Sequence, residues 1–430
     1  MDNNPINFNH TIANAVDYNE ISRKILDRVP LYYSKEGLWY KYNDEEYRWE
    51  TEDEIAILNA IDEEMRIANI CRSDIRTQLL QGLKMESRKK SPIEIDKEQI
   101  QFKDKIINFR TGKEVNATRE YFTFNPIPYK IGDSEDTPII DKFMKEWVGK
   151  EHYLKLQEWI AYHLLRDYPI HRIACLNGGG SNGKTTCIDF ITNLLGEKNI
   201  IGGDFESIFL ERFGTSLIYR KMGLKIGETN YGTLTKTSKF KSMTGGDAVI
   251  IEFKGKGGFD YKNYAKVTMS TNSLPVTEDK TNGFYRRWLI IDFPNEFTEK
   301  YDLLSKITEK EYENFCKKCL RLLKELIKRG NFTNEGSIEE RRIRYEKISN
   351  PVQTFIEDFT EKGDEKNYIS KSEFLERINI WMRNKRLRTL KNGVINKIME
   401  EEYCEGYRTN SSMKQERSWL RIKWKEDEKC

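Results

Sequence analysis

One stretch constrains this chain more than any other: CLNGGGSNGKTTCIDF, from Cys175 to Phe190. Within it, Gly178-x-x-x-x-Gly183-Lys184-Thr185 matches the pattern G-x-x-x-x-G-K-[ST] in full. The apolar RIACL before it reads as a buried strand. After it, TTCIDFITNLLG puts Ile188, Phe190, Ile191, Leu194 and Leu195 on one helix face, and Gly196 can close that helix. Strand, glycine loop and helix in this order predict an α/β fold that holds phosphate at the turn. Glycines let the backbone wrap closely around phosphate oxygens with N–H groups pointing inward. The helix start adds its own N–H groups and dipole. Gly178, Gly179, Gly180, Ser181, Asn182, Gly183, Lys184, Thr185 and Thr186 are therefore the expected phosphate-binding residues. Lys184 supplies a compact charge for the β and γ phosphates, and the Thr185 hydroxyl is a ligand for Mg²⁺. The expected ligands are ATP and Mg²⁺. A glycine-rich turn that binds nothing is the alternative, and the strand and helix on the correct sides weigh against it.

At 430 residues the chain exceeds one ordinary core, and two to four units are expected. The order of helical, strand and turn patterns predicts an α+β N-terminal domain over 1–135, a helical lead-in and α/β core over 136–298, a helical connector over 299–345 and a C-terminal domain over 346–430. LYYSKEGLWYKYNDEEYRW reads as an antiparallel meander, Glu54 to Lys84 as two helices, and IQFKDKIINFRTGKEV as strand, turn, strand. Asp141 to Asp167 holds two amphipathic helices, and Lys300 to Arg329 is helical. The C-terminal segment places helices around PVQTFIEDF, SKSEFLERINIWMRNK and KNGVINKIMEE before two aromatic strands, an order that suggests a winged-helix module. Its tail from Lys371 carries 15 Lys/Arg against 10 Asp/Glu, a patch for duplex phosphates or a solvated face. Net charge is only +3, so any nucleic-acid surface must be local. No run of about 18 apolar residues exists, and the N-terminus has no signal-peptide pattern. The seven cysteines are scattered, which points to a reducing, cytoplasmic setting in the host cell without membrane attachment. Cys316 and Cys319 form a lone C-x-x-C with helical periodicity, better read as buried helix positions than as a metal or redox pair.

Further motifs follow the loop. MGLKIGETN is a strand ending in Glu228, a carboxylate able to orient and polarise an attacking water. Gly227 precedes it, so only one acidic residue stands there, and Thr185 and Glu228 are the candidate metal residues. Val249 to Phe253 and Tyr264 to Ser270 read as strands around a KGKGG tip whose Lys254 and Lys256 can follow a nucleic-acid backbone, or merely solubilise the turn. VTMSTN ends in Asn272, an amide within reach of a γ phosphate or its water. GFYRRWLIIDF presents Arg286 and Arg287, suited to a finger reaching a neighbouring subunit's nucleotide, or to a structural ion pair.

This ordered set resembles the superfamily 3 helicases, and within them the poxvirus-type and phage/plasmid-type primase-helicases. GGGSNGKTT, IGETN, MTGGD, STNSLP and YRRW occur in family order between Gly178 and Trp288. The resemblance implies an AAA+-like α/β P-loop ATPase core, with Lys184 and Thr185 on phosphate and Mg²⁺, Glu228 as catalytic carboxylate, Asn272 as sensor, and Arg286 or Arg287 as finger. It implies that the Lys254–Gly258 turn grips single-stranded DNA and that Thr244 to Asp247 lies near the gripping region. The expected protein is a ring-forming replicative DNA helicase, a hexamer moving 3′ to 5′ on single-stranded and forked DNA for a phage, virus, plasmid or mobile element. A primase or polymerase of the same replicon is an expected partner, since the first 130 residues leave no room for a primase domain. The alternatives are an ATP-switched replication initiator or loader that binds origin DNA, and a P-loop kinase or small-molecule transferase.

Overall fold

The computed structural model describes residues 18–67, 73–227, 237–271, 274–298, 302–384, 387, 389–409 and 413–425. The chain divides into two compact units, residues 1–130 with 251–259, and residues 131–250 with 260–430.

In the first unit, α1 (Tyr18–Arg28) leads into the antiparallel meander β1 (Leu31–Tyr33), β2 (Trp39–Asn43) and β3 (Arg48–Glu52). Helices α2 (Glu54–Ile67) and α3 (Ser73–Arg88) follow. The helical spacing of their apolar residues works as expected: Ile57, Ile61, Leu79 and Leu83 bury against Ile25, Leu31 and Trp39. Beyond them β4 (Ile93–Glu94) pairs with β8 (Tyr121–Phe122), while β5 (Gln99–Phe102), β6 (Lys105–Asn108) and β7 (Glu114–Asn116) form an antiparallel sheet. Tyr40, Phe122 and Phe124 stack edge-to-face at 4.6–5.5 Å in their core.

The second unit opens with α4 (Pro138–Tyr162). Gly149, at φ 68°, breaks its helical geometry, so the two helices expected here lie end to end. Next come β9 (Ile173–Asn177), α5 (Lys184–Leu195), β10 (Ile200–Gly203), α6 (Phe205–Phe209), β11 (Gly223–Ile226) and α7 (Ser238–Met243). The hairpin strands β12 (Ala248–Ile251) and β13 (Phe259–Lys262) precede β14 (Lys266–Thr271), α8 (Asn282–Tyr285) and β15 (Trp288–Asp292). Five strands make one parallel sheet in the order β10-β11-β14-β9-β15. All six residues of β14 are buried, as a strand covered on both faces requires.

The expected hairpin needs one correction. Its return strand is β13, not Tyr264 to Ser270, which runs as β14 inside the parallel sheet. Asn263 makes the switch: its Oδ1 accepts from Ala265 N and its Nδ2 donates to Met243 O, turning the chain out of the hairpin.

Helix α9 (Glu309–Arg329) is capped by Thr308 and closed by Gly330 at φ 78°, so it starts later than the expected Lys300. Glu311 on α9 accepts from the N–H groups of Ile139 and Ile140 at the start of α4, and Lys318 pairs with Asp141 at 2.9 Å. Cys316 and Cys319 are buried thiols on this helix. Helix α10 (Ile338–Ser349), begun by a Ser337–Glu340 capping box, brings Tyr345 against Trp288 with ring centroids 4.8 Å apart. These contacts tie α9 and α10 to the core of the second unit, which also takes in the last segment. The last segment runs α11 (Pro351–Phe359), β16 (Thr360–Lys362), β17 (Tyr368–Ser370), α12 (Lys371–Asn384), α13 (Asn392–Glu402), β18 (Glu405–Thr409), β19 (Gln415–Leu420) and β20 (Ile422–Trp424). Its antiparallel sheet has the order β17-β19-β18, and Phe355, Phe374, Trp381, Ile395 and Trp419 fill its own apolar core. Among the described residues no helix is long and apolar enough to cross a membrane.

Candidate functional site

Strand β9 ends at Asn177, and residues 178–183 turn sharply into α5. The turn is built from positions that tolerate little else. A Cβ at Gly178 would lie 1.9 Å from Asn182 Nδ2 and 2.7 Å from Phe293 O. Gly183 sits at φ 84° with Trp147 Cδ1 2.7 Å from where its Cβ would be. Ser181 also adopts a positive φ, of 55°. Asn182, 3% exposed, braces the loop from inside: its Nδ2 donates to Phe293 O at 3.1 Å and its Oδ1 accepts from Lys184 Nζ at 2.9 Å. Lys184 Nζ also donates to Gly178 O and Gly179 O, both at 2.7 Å. The amine thus lies across the inside of the loop, on neutral oxygens that an anion can replace.

The loop opens on a cavity of about 700 Å³. Gly179 to Thr186, Ile188 and Asp189 line it from the loop and α5; Gly202 and Gly203 of β10, Lys225 and Ile226 of β11 with Gly227 just after it, and Ser270 of β14 line it from the sheet. It lies at the carboxyl ends of parallel strands, where open α/β sheets hold their ligands. Thr185 is exposed to it. Among the described residues no group of three His, Cys, Asp or Glu side chains could hold a metal by itself. A Mg²⁺ here would have few protein ligands, Thr185 among them, with water and the phosphates completing its shell. Glu228 and Asn272, expected as catalytic carboxylate and sensor, lie outside the described residues, though Gly227 and Ser270 bring both strands to the cavity wall.

The two arginines separate. Arg287 is 5% exposed and tied within its own chain. Its Nε donates to Thr244 Oγ1 at 3.0 Å, its Nη2 to Lys241 O at 2.8 Å and its Nη1 to Gly283 O. A Cβ at Gly245 would meet that Nη2 at 2.9 Å. The Thr244–Asp247 motif therefore cradles Arg287, and the pair explain each other. Arg286 is exposed, and its side chain makes no hydrogen bond or ion pair with any described residue. Of the two, only Arg286 projects.

Behind the loop, Asp292 ends β15 beside Asn177, whose Nδ2 donates to it at 3.0 Å. His152 Nε2 stands 3.6 Å away and Arg344 of α10 pairs with the same carboxylate. Burial raises the Asp292 pKa, but these partners outweigh it and hold the group at about 2. Lys155 Nζ lies 3.2 Å from His152 Nδ1, and burial, with the Arg344 charge, pulls the amine down to about 8 against three carboxylates.

The Lys254–Gly258 turn belongs to the first unit. Lys254 and Lys256 are both exposed, Gly255 takes φ 79°, and Lys256 N donates to Phe253 O at 3.0 Å to close the tip. The sequence reading missed Lys225, Asp189 and Asp292. A lysine inside the short apolar strand GLKI was the one available signal.

A family model described as a family of unknown function (DUF5906) matches residues 176–287. No curated protein matches the chain. Among solved structures the chain is similar to the apo A form of the NrS-1 C-terminal region, at 12% identity and TM-score 0.48, covering 94% of this chain and 99% of that one. A second apo A form of that region, residues 305–718, is 11% identical, with TM-score 0.49 and coverages of 94% and 100%.

Proposed function

We propose that this chain is an ATP-driven DNA helicase of the superfamily 3 type, with an AAA+-like P-loop ATPase core and a C-terminal winged-helix module, working as a ring on single-stranded DNA. The observation that carries the reading is the glycine turn at the end of strand β9, with Lys184 folded into it and the cavity opening towards β14 and β11. The helix–strand–helix–helix–hairpin order with sheet β17-β19-β18 supports the winged-helix assignment.

In this mechanism the loop N–H groups and the start of α5 take the β phosphate, and Lys184 exchanges its carbonyl partners for β and γ oxygens. Asn182 keeps the loop rigid while that exchange occurs. Thr185 and Glu228 would hold Mg²⁺, which neutralises phosphate charge. Glu228 accepts the proton of the attacking water, and Asn272 orients that water. Arg286, projecting from one protomer, completes the next protomer's site, so hydrolysis requires assembly, expected as a hexamer. Lys254 and Lys256 carry the grip on the strand, and a primase or polymerase of the same replicon is the partner it works beside. Displacement of a strand from a forked duplex tests the reading: ATP-dependent release supports it. Hydrolysis without release favours an ATP-switched initiator or loader, and turnover indifferent to single-stranded DNA favours a small-molecule kinase.

A further inference from the structure

Lys225 stands where an ordinary parallel strand would place an apolar side chain. It is the third residue of β11, pairing with Gly202 of β10 on one side and Thr268 of β14 on the other. It is partly buried, yet its side chain makes no hydrogen bond or ion pair with any described residue. A partly buried ammonium with no partner among the described residues keeps its charge available for an anion that enters the cavity. Its surroundings leave room for one. The stem lies across Gly202, where a Cβ would come within 3.4 Å of Lys225 Cε, and Gly203 and Gly227 put no side chain into the same wall. The same cavity is lined by Lys184 and Thr185 from the loop and the start of α5. Its charged residues among those described are Lys184, Lys225 and Asp189.

From this placement we infer that Lys225 is a second phosphate-binding lysine, contacting the γ phosphate from the wall facing the glycine loop. It makes the site prefer nucleoside triphosphate over diphosphate. The inference rests on the reading that the cavity takes a nucleoside triphosphate. In a glycine loop of this kind the β phosphate sits within the turn and the γ phosphate beyond the lysine. Lys225 lines the same cavity as Lys184, from the strand side. An ammonium there gains a charge-assisted contact with a triphosphate and nothing with a diphosphate.

The test is equilibrium binding of ADP and of the non-hydrolysable imido analogue of ATP to the full chain, with Lys225→Met, Lys225→Gln and Lys184→Ala beside the unaltered protein. Met keeps the stem's volume and Gln keeps a polar head, so folding is controlled by two routes, each checked by the melting temperature without nucleotide. Loss of one charge-assisted contact should weaken the analogue roughly tenfold or more in both Lys225 variants and leave ADP within about twofold. Lys184→Ala should weaken both nucleotides. Unchanged analogue binding in the Lys225 variants, or equal weakening of both nucleotides, would overturn the role given to Lys225 while leaving the nucleotide site intact. Absence of binding by the unaltered protein, or no effect of Lys184→Ala, would overturn the nucleotide reading itself.

Discussion

Arg286 and Arg287 are neighbours of the same type, yet their substitution by alanine should produce opposite phenotypes. Arg287→Ala removes three hydrogen bonds donated by a buried guanidinium and leaves Thr244 Oγ1, Lys241 O and Gly283 O facing a void. Bonds from a charged donor are worth about 1.5–3 kcal/mol each, but they share one group and do not add fully, so roughly 3–5 kcal/mol is expected. For a unit of this size that lowers the melting temperature on the order of 10 °C. Arg286→Ala removes an exposed side chain without a hydrogen-bond or ion-pair partner among the described residues, and stability should change by less than about 0.5 kcal/mol. Its cost should appear in hydrolysis instead, where a finger arginine contributes about 10³-fold or more. Paired urea melts and steady-state ATPase assays measure both quantities. The reasoning is refuted if Arg287→Ala is as stable as the parent, or if Arg286→Ala unfolds it while hydrolysis per folded chain is unchanged.

Other substitutions probe other layers. Gly183→Ala forces a side chain into a left-handed backbone against Trp147; nucleotide affinity should fall at least about tenfold, checked by titration. For Asp292 the folded pKa of about 2 lies below its ordinary 3.8, so its contribution is present above the higher value and is lost as pH falls through the lower one. Asp292→Asn should therefore destabilise the protein near neutrality and flatten the loss of stability between those two pH values in acid melts. Lys254→Ala with Lys256→Ala should spare basal ATPase, weaken single-strand binding and reduce the slope of log affinity against log salt by about 1.4, measured by fluorescence anisotropy.

What was legible beforehand was what is local. Gly178 to Thr185 impose their turn through their own backbone needs, and the strand and helix around them follow from apolar spacing, so loop, β9 and α5 could be read directly. The inward and outward fates of Arg287 and Arg286 could not, because they depend on Thr244 and Lys241, some forty residues earlier in sequence, folding back against α8. The far wall of the cavity was hidden for the same reason: Gly202 and Lys225 meet only through parallel pairing of β10 with β11. The hairpin's return strand is hidden in the sequence because Tyr264 to Ser270 is apolar enough for either sheet, and only the turn at Asn263 decides between them.

The central claim is that one protomer's nucleotide is completed by Arg286 of the next. Mixing Arg286→Ala chains with Glu228→Ala chains tests it most directly, through ATP turnover in the presence of single-stranded DNA. Each variant alone should be inactive, and the mixture should regain turnover as interfaces form that pair an intact Glu228 with an intact Arg286. A mixture no more active than its components, or an Arg286→Ala chain with full turnover as a monomer, would contradict the account.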